Sequence, residues 1–128
     1  MIKNEFMGQQ LIADFYGCDT SIIDSLDKTK DFIHKMCEAI NTEIVEEAYH
    51  KFEPIGISAF AVITTSHMSI HTWPEFNYAA VDIFSCNGDL VIEICDYLKK
   101  LLKASDVKAE IITRDVGRFP KNGHGEAR

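Results

Sequence analysis

The chain lacks a CxxC pair, any excess of positive charge and any apolar run approaching the roughly 20 residues that cross a bilayer. Its longest apolar stretches, such as residues 57–63, are far too short to span a membrane, so no transmembrane helix is expected. Thirteen basic against twenty acidic residues leave a formal charge of -7, which opposes nucleic acid and anionic membrane, since both are held mainly through Lys and Arg. A small ligand that is cationic or bears an amine suits such a surface better. Cys18, Cys37, Cys86 and Cys95 are scattered and no signal peptide precedes them, so free thiols in a reducing cytoplasm are expected, with disulfides a minority alternative. Internal repeats, long linkers and low-complexity tracts are also missing. What remains, 128 residues with 46% hydrophobic and 26% charged side chains, is one folded domain with its own core rather than a disordered or fibrous polymer. The domain is expected over 1–118. The polar, Gly-containing stretch 119–128 reads as a flexible tail, and no chemistry is assigned to it, His124 included.

Residues 9–16 read as a strand that Gly17, Cys18 and Asp19 bring to an end. Over 22–40, Ile22, Ile23, Leu26, Ile33, Met36, Cys37 and Ile40 recur at three- and four-residue intervals, interrupted by one polar turn at 28–31. That spacing predicts an amphipathic helix capped by Ser25 or Asp27. The β-branched and aromatic residues of 42–52, the breakers Pro54 and Gly56, and the apolar run 57–65 predict two neighbouring strands with a short link. Two more strands are expected over 68–73 and 78–86, around a turn at 74–77. Leu90, Val91, Ile94, Cys95, Leu98, Leu101 and Leu102 give 89–103 a helical period, and a last strand covers 107–113. This order fits an α+β two-layer sandwich, an antiparallel sheet with two helices on one face.

The densest chemistry lies in Thr64-Thr65-Ser66-His67-Met68-Ser69-Ile70-His71-Thr72-Trp73-Pro74-Glu75, followed fifteen residues after His71 by Cys86. Taken singly, these residues have plain readings. His67 and His71 are four apart, a metal-binding spacing on a helix, but the β-branched surroundings favour a strand and no Glu follows the first His as in a zincin. Adding Cys86 gives a candidate metal trio of His67, His71 and Cys86. Ser66 beside His67 lacks the G-x-S-x-G elbow of a hydrolase. Alone, Cys86 reads as a buried thiol, Phe52 and Trp73 as core aromatics, and Glu75 as a solvated carboxylate.

Jointly they mean more. Ser-His-x-x-Ile-His-Thr-Trp-Pro-Glu at 66–75, followed by Tyr-Ala-Ala-Val-Asp-Ile-Phe-x-Cys at 78–86, closely resembles the signature of the prokaryotic S-adenosylmethionine decarboxylase proenzymes. The similarity extends over 8–18, 52–58 and Gly117-Arg118. The resemblance implies that the hydroxyl of Ser66 attacks the carbonyl of Thr65, converting that peptide bond into an ester. Elimination then cuts the chain between Thr65 and Ser66 and leaves a pyruvoyl group derived from Ser66, the cofactor of the reaction. Amide resonance makes the first step hard, so strain or polarisation is needed, with a base for the α-proton. His71 matches the family's processing histidine, and Ser58 its assisting hydroxyl.

The resemblance further implies a Schiff base between the pyruvoyl ketone and the substrate amine, with the adjacent carbonyl acting as electron sink, the part pyridoxal phosphate plays elsewhere. Cys86 matches the proton donor, a suitable role because thiols as a class keep their proton at neutral pH. Phe52 and Trp73 would stack on adenine, and Glu75 would accept hydrogen bonds from the ribose. The implied product is decarboxylated S-adenosylmethionine, for polyamine (spermidine) synthesis, made by a cytoplasmic homodimer of cleaved protomers. One departure stands out: most members have Glu before the cleaved serine, and this chain has Thr65, β-branched and uncharged. That change keeps two alternatives open, an arginine or ornithine decarboxylase on the same fold and an unprocessed non-catalytic partner.

Overall fold

Alternation of buried and outward-facing side chains builds most of the sheet. In β3, Ile57–Ile63, residues Ile57, Ala59, Ala61 and Ile63 are buried, while Ser58, Phe60 and Val62 face the other way. The same period of two runs through β1, Met7–Tyr16, through β4, Ser66–Trp73, and through β5, Tyr78–Ser85. The remaining strands are β2, Ile44–Lys51, and β6, Asp106–Asp115. These assignments come from a computed structural model that describes residues 7–88 and 90–115. The expected tail 119–128 and the last residues of the expected domain lie outside the described residues, as do His124, Gly117 and Arg118.

All six strands form one antiparallel sheet in the order β2-β3-β4-β5-β1-β6. The α+β two-layer sandwich expected from the residue pattern is the architecture observed. Helix α2, Leu26–Ala39, packs across β2, β3 and β4, and α3, Ile94–Leu102, packs on β1 and β6. Phe32, Ile33, Met36 and Cys37 of α2 and Ile94, Cys95, Leu98 and Leu102 of α3 join Leu11, Phe15, Met68, Ile70 and Ile83 of the sheet in one core. The opposite sheet face carries exposed Ile12, Phe60, Val62 and Ile112.

The helix expected over 22–40 is split. Thr20–Ile23 forms a short α1, capped by Asp19, whose carboxylate accepts from Ser21 N–H at 2.8 Å. Ser25 then turns extended, and its hydroxyl accepts from Lys28 N–H at 3.2 Å to start α2. The break has a use, because it frees the Asp24 carboxylate to hold a distant loop. Helix α3 begins at Ile94, later than the expected position 89.

Candidate active site

Strands β3 and β4 are joined by a hairpin loop of two residues, Thr64 and Thr65, with Ile63 facing Ser66 across the ladder. Ser66 sits at φ 152°, where a side chain is rarely found, a strain of about 1–3 kcal/mol that the surrounding structure must impose. It is 7% exposed and faces Ser85 of β5, which is fully buried. The carbonyl of Thr65, the one its hydroxyl would attack, accepts the backbone N–H of Cys86 at 3.0 Å. A donor already aimed at that oxygen would stabilise the negative charge it gains when the carbon becomes tetrahedral.

Cys86 is placed there by the turn after β5. The Ser85 hydroxyl donates to the Asn87 side-chain oxygen at 2.8 Å, and the Asn87 carboxamide N–H reaches the carbonyl of Ile40 at 3.4 Å. Of the four cysteines, all free, Cys86 is the half-buried one. Burial pushes Cys18 and Cys37 up to about 11 and raises Cys95, which suits those three to packing rather than to proton transfer.

A second cluster lies at the far end of β4. Ser58 Oγ and His71 Nδ1 share a hydrogen bond of 2.8 Å, between directly paired residues of β3 and β4. His50 of β2 pairs with Ser58 in the same row, and the Phe52 ring meets His50 edge-on at 4.5 Å. Phe52 and Trp73 are both exposed, and Trp73 lies 5.5 Å from the Tyr78 ring. Glu75 follows in a 3-10 turn, Pro74–Phe76, also exposed.

The loop 52–56 is pinned from beneath. Gly56 adopts φ 108°, its N–H donates to Asp24 Oδ1 at 2.9 Å, and a Cβ there would lie 3.3 Å from the Thr72 carbonyl. Lys51 Nζ reaches both Asp24, at 3.0 Å, and the Phe52 carbonyl, at 3.1 Å. The Gly56 N–H is the chief cause that holds the Asp24 carboxyl below the usual carboxylate range.

Ser66 and His71 therefore do not meet within one chain. They stand five residues apart on one extended strand, a separation of roughly 16 Å. The expected site residues divide into two groups, Thr65, Ser66 and Cys86 at one end of β4 and Ser58, His71 and Trp73 at the other. The metal trio fails on the same geometry. His67 lies roughly 13 Å along the strand from His71 and is packed between Phe60 and Phe84, at 5.6 and 6.0 Å. Among the described residues no group of His, Cys, Asp or Glu is gathered as a metal would need. Asp24, Thr42 and Asn87 went unremarked in the sequence, because nothing about a single Asp, Thr or Asn marks a cross-chain tie.

A sequence profile described as S-adenosylmethionine decarboxylase matches residues 9–115. The chain belongs to the S-adenosylmethionine decarboxylase family. An S-adenosylmethionine decarboxylase proenzyme of Thermoanaerobacter sp. strain X514 is 41% identical over 115 residues, 89% of this chain and 93% of that one. The proenzyme of the same name from Moorella thermoacetica is 42% identical over 117 residues, 90% and 93% of the two chains. A crystal structure of the adenosylmethionine decarboxylase from Aquifex aeolicus VF5 superposes with a TM-score of 0.80 at 26% identity, covering 91% of this chain and 98% of that one. The S-adenosylmethionine decarboxylase resemblance seen in residues 66–86 thus holds over the whole described fold.

Proposed function

We propose that this chain cleaves itself between Thr65 and Ser66 and, once cut, decarboxylates S-adenosylmethionine for polyamine synthesis. The observation that carries the proposal is Ser66 at φ 152° beside a carbonyl held by the Cys86 N–H at 3.0 Å, in a chain of this family. Strain raises the starting amide, and the N–H stabilises the oxygen of the tetrahedral stage. The Ser66 oxygen bonds to the Thr65 carbonyl carbon, the C–N bond breaks, and the hydroxyl proton passes to the freed amine. A base, His71, then removes the Ser66 α-proton. The Cβ–O bond breaks, Thr65 departs as a carboxylate, and water replaces the nitrogen of residue 66, which leaves as ammonia. The residues present fit that outcome, since the junction needs a hydroxyl, a strained peptide and an oxyanion donor, and it has all three.

The pyruvoyl ketone so formed supplies an electron sink for the pair released with carbon dioxide. The chain's own side chains do the rest. Cys86 holds the proton that must be returned to carbon, Phe52 and Trp73 offer apolar faces to a purine, and Glu75 offers acceptors to ribose hydroxyls and attraction to a sulfonium. Thr65 in place of Glu leaves the attacked atom unchanged, because that atom is backbone.

The working unit is a homodimer in which one protomer supplies Thr65, Ser66 and Cys86 and its partner supplies Ser58 and His71. The separation of roughly 16 Å between Ser66 and His71 supports this. So do the exposed apolar residues of the helix-free sheet face, which a second copy would cover. Cleavage would not release the pieces. Chain 1–65 keeps β1, β2 and β3, chain 66–128 keeps β4, β5 and β6, and three ladders join them, β3 to β4, β5 to β1 and β1 to β6. Four unpaired thiols fit a reducing cytoplasm. No helix among the described residues is long and apolar enough to cross a membrane.

Denaturing mass spectrometry, followed by carbon dioxide release from S-adenosylmethionine, arginine and ornithine in parallel, tests the proposal. Two chains, 1–65 and 66–128, with release from S-adenosylmethionine, are the expected result. An intact 14.5 kDa chain after long incubation, with no gas from any substrate, overturns it in favour of a non-catalytic member. Release from arginine or ornithine alone keeps the chemistry and overturns the substrate.

A further inference from the structure

We infer that the connection between α2 and β2, residues 40–43, is a clamp on the scissile junction, with Thr42 as the positioning residue for self-cleavage. The inference rests on the self-cleavage proposed above. A two-residue hairpin loop has few contacts of its own, and a serine at φ 152° would relax if that loop could turn. Here it cannot turn freely, because both loop residues are tied to the same neighbour. The Thr65 hydroxyl donates to Thr42 Oγ1 at 3.1 Å, and Thr42 Oγ1 and Thr64 Oγ1 lie 2.8 Å apart. Thr64 Oγ1 also accepts the Glu43 N–H at 3.2 Å, and Thr64 N–H donates to the Glu43 carbonyl at 2.9 Å.

The other flank is tied to the same connection. Asn87, one residue past the Cys86 N–H that holds the Thr65 carbonyl, donates from its carboxamide to the Ile40 carbonyl at 3.4 Å. The connection is itself stiff. Asn41 turns it at φ 57°, and Thr42 N–H is bonded to the Cys37 carbonyl at 3.0 Å, at the end of a helix whose Met36 and Cys37 are buried in the core. The scissile carbonyl and its donor are thus both referred to one short segment, and Thr42 is the side chain that touches the residue being cut. Thr65 takes part through its hydroxyl.

This arrangement helps only the uncut chain. Cleavage separates Thr65 from residue 66, so the threonine ties no longer bear on the group that does the later chemistry. Thr42→Val removes the shared hydroxyl in nearly the same volume, at a partly solvated place where water can satisfy Thr64 and Thr65, and Thr42→Ser restores it.

The test is a time course of cleavage after cell-free synthesis, read by denaturing mass spectrometry, for the wild type, Thr42→Val and Thr42→Ser. Decarboxylation constants are then measured on fully cleaved protein. Thr42→Val is expected to cleave about tenfold more slowly, the loss of one positioning hydrogen bond in the transition state. Thr42→Ser is expected within about twofold of wild type, and cleaved Thr42→Val is expected to keep wild-type kcat and KM. Wild-type cleavage in Thr42→Val overturns the inference, as does a loss of cleavage that Thr42→Ser fails to rescue or that kcat and thermal stability share in proportion. A wild-type chain that never cleaves overturns the self-cleavage reading itself, a different and separately visible result.

Discussion

The two ends of β4 are built on opposite plans. At the Ser66 end the serine is buried, the backbone is strained, and the neighbouring carbonyl is gripped by an N–H of the same chain. At the His71 end the side chains are exposed and bonded to one another, Ser58 to His71, and Phe52, Trp73 and Glu75 stand toward solvent. One end holds what the proposed self-cleavage needs, a buried hydroxyl on a strained backbone beside a carbonyl with a donor already in place. The other end holds a hydrogen-bonded pair and exposed rings that the fold keeps away from Ser66.

Deleting the nucleophile breaks the comparison most completely. Ser66→Ala should fold, keep the Ser58 to His71 pair and remain one 14.5 kDa chain indefinitely in denaturing mass spectrometry; any cleavage at that junction would remove Ser66 from its role. Pairing two damaged ends comes next. Cys86→Ala and His71→Ala should each be nearly inactive, yet co-expressed they should recover about a quarter of wild-type carbon dioxide release. Half of the dimers are then mixed, and each carries one site with both residues intact. No recovery would mean that each site draws Cys86 and His71 from one chain.

Smaller effects sharpen the contrast. Asp24→Ala unpins the loop 52–56 and should raise KM for the nucleoside substrate about fivefold with kcat unchanged, because Asp24 touches no reacting atom. Since the carboxyl of Asp24 is held low in the folded protein, its contribution is complete above the ordinary carboxylate value. It is lost only as pH falls through that lowered value. Initial-rate kinetics should therefore show the ratio of variant to wild-type KM flat across neutral pH and falling toward one only below the ordinary carboxylate range. The smallest effect concerns strain alone: Ser66→Gly should be more stable than Ser66→Ala by about 1 kcal/mol, because glycine adopts φ 152° without a Cβ penalty. Urea unfolding of the two uncleavable variants measures the difference, and equal midpoints would mean that the junction is not strained.

The strands and the core were legible in the sequence because their signal is local, an alternation of two or a stripe at three and four. Leu98, Met36 and Ile83 lie buried where the period put them. The break at Asp24 and Ser25 was less visible, since apolar residues continue on both sides and the cap depends on one hydroxyl turning back onto Lys28. The candidate site residues stood out as a set through their family signature. Their grouping did not, because closeness in sequence becomes distance once the backbone is extended: five residues of strand set Ser66 apart from His71, whereas Cys86, twenty residues on from Ser66, returns beside Thr65 through an antiparallel ladder. Thr42 is reached only through the fold.

Under the proposed self-cleavage, the interleaved sheet also fixes an order in time. Because β1, from before residue 65, lies between β5 and β6, from after it, the halves can reach this arrangement easily only while still tethered. Assembly would then come first and scission afterwards. A cut molecule that lost its shape would have to find its other half by collision, so each copy would fold well once, and dilution after denaturation would retire it.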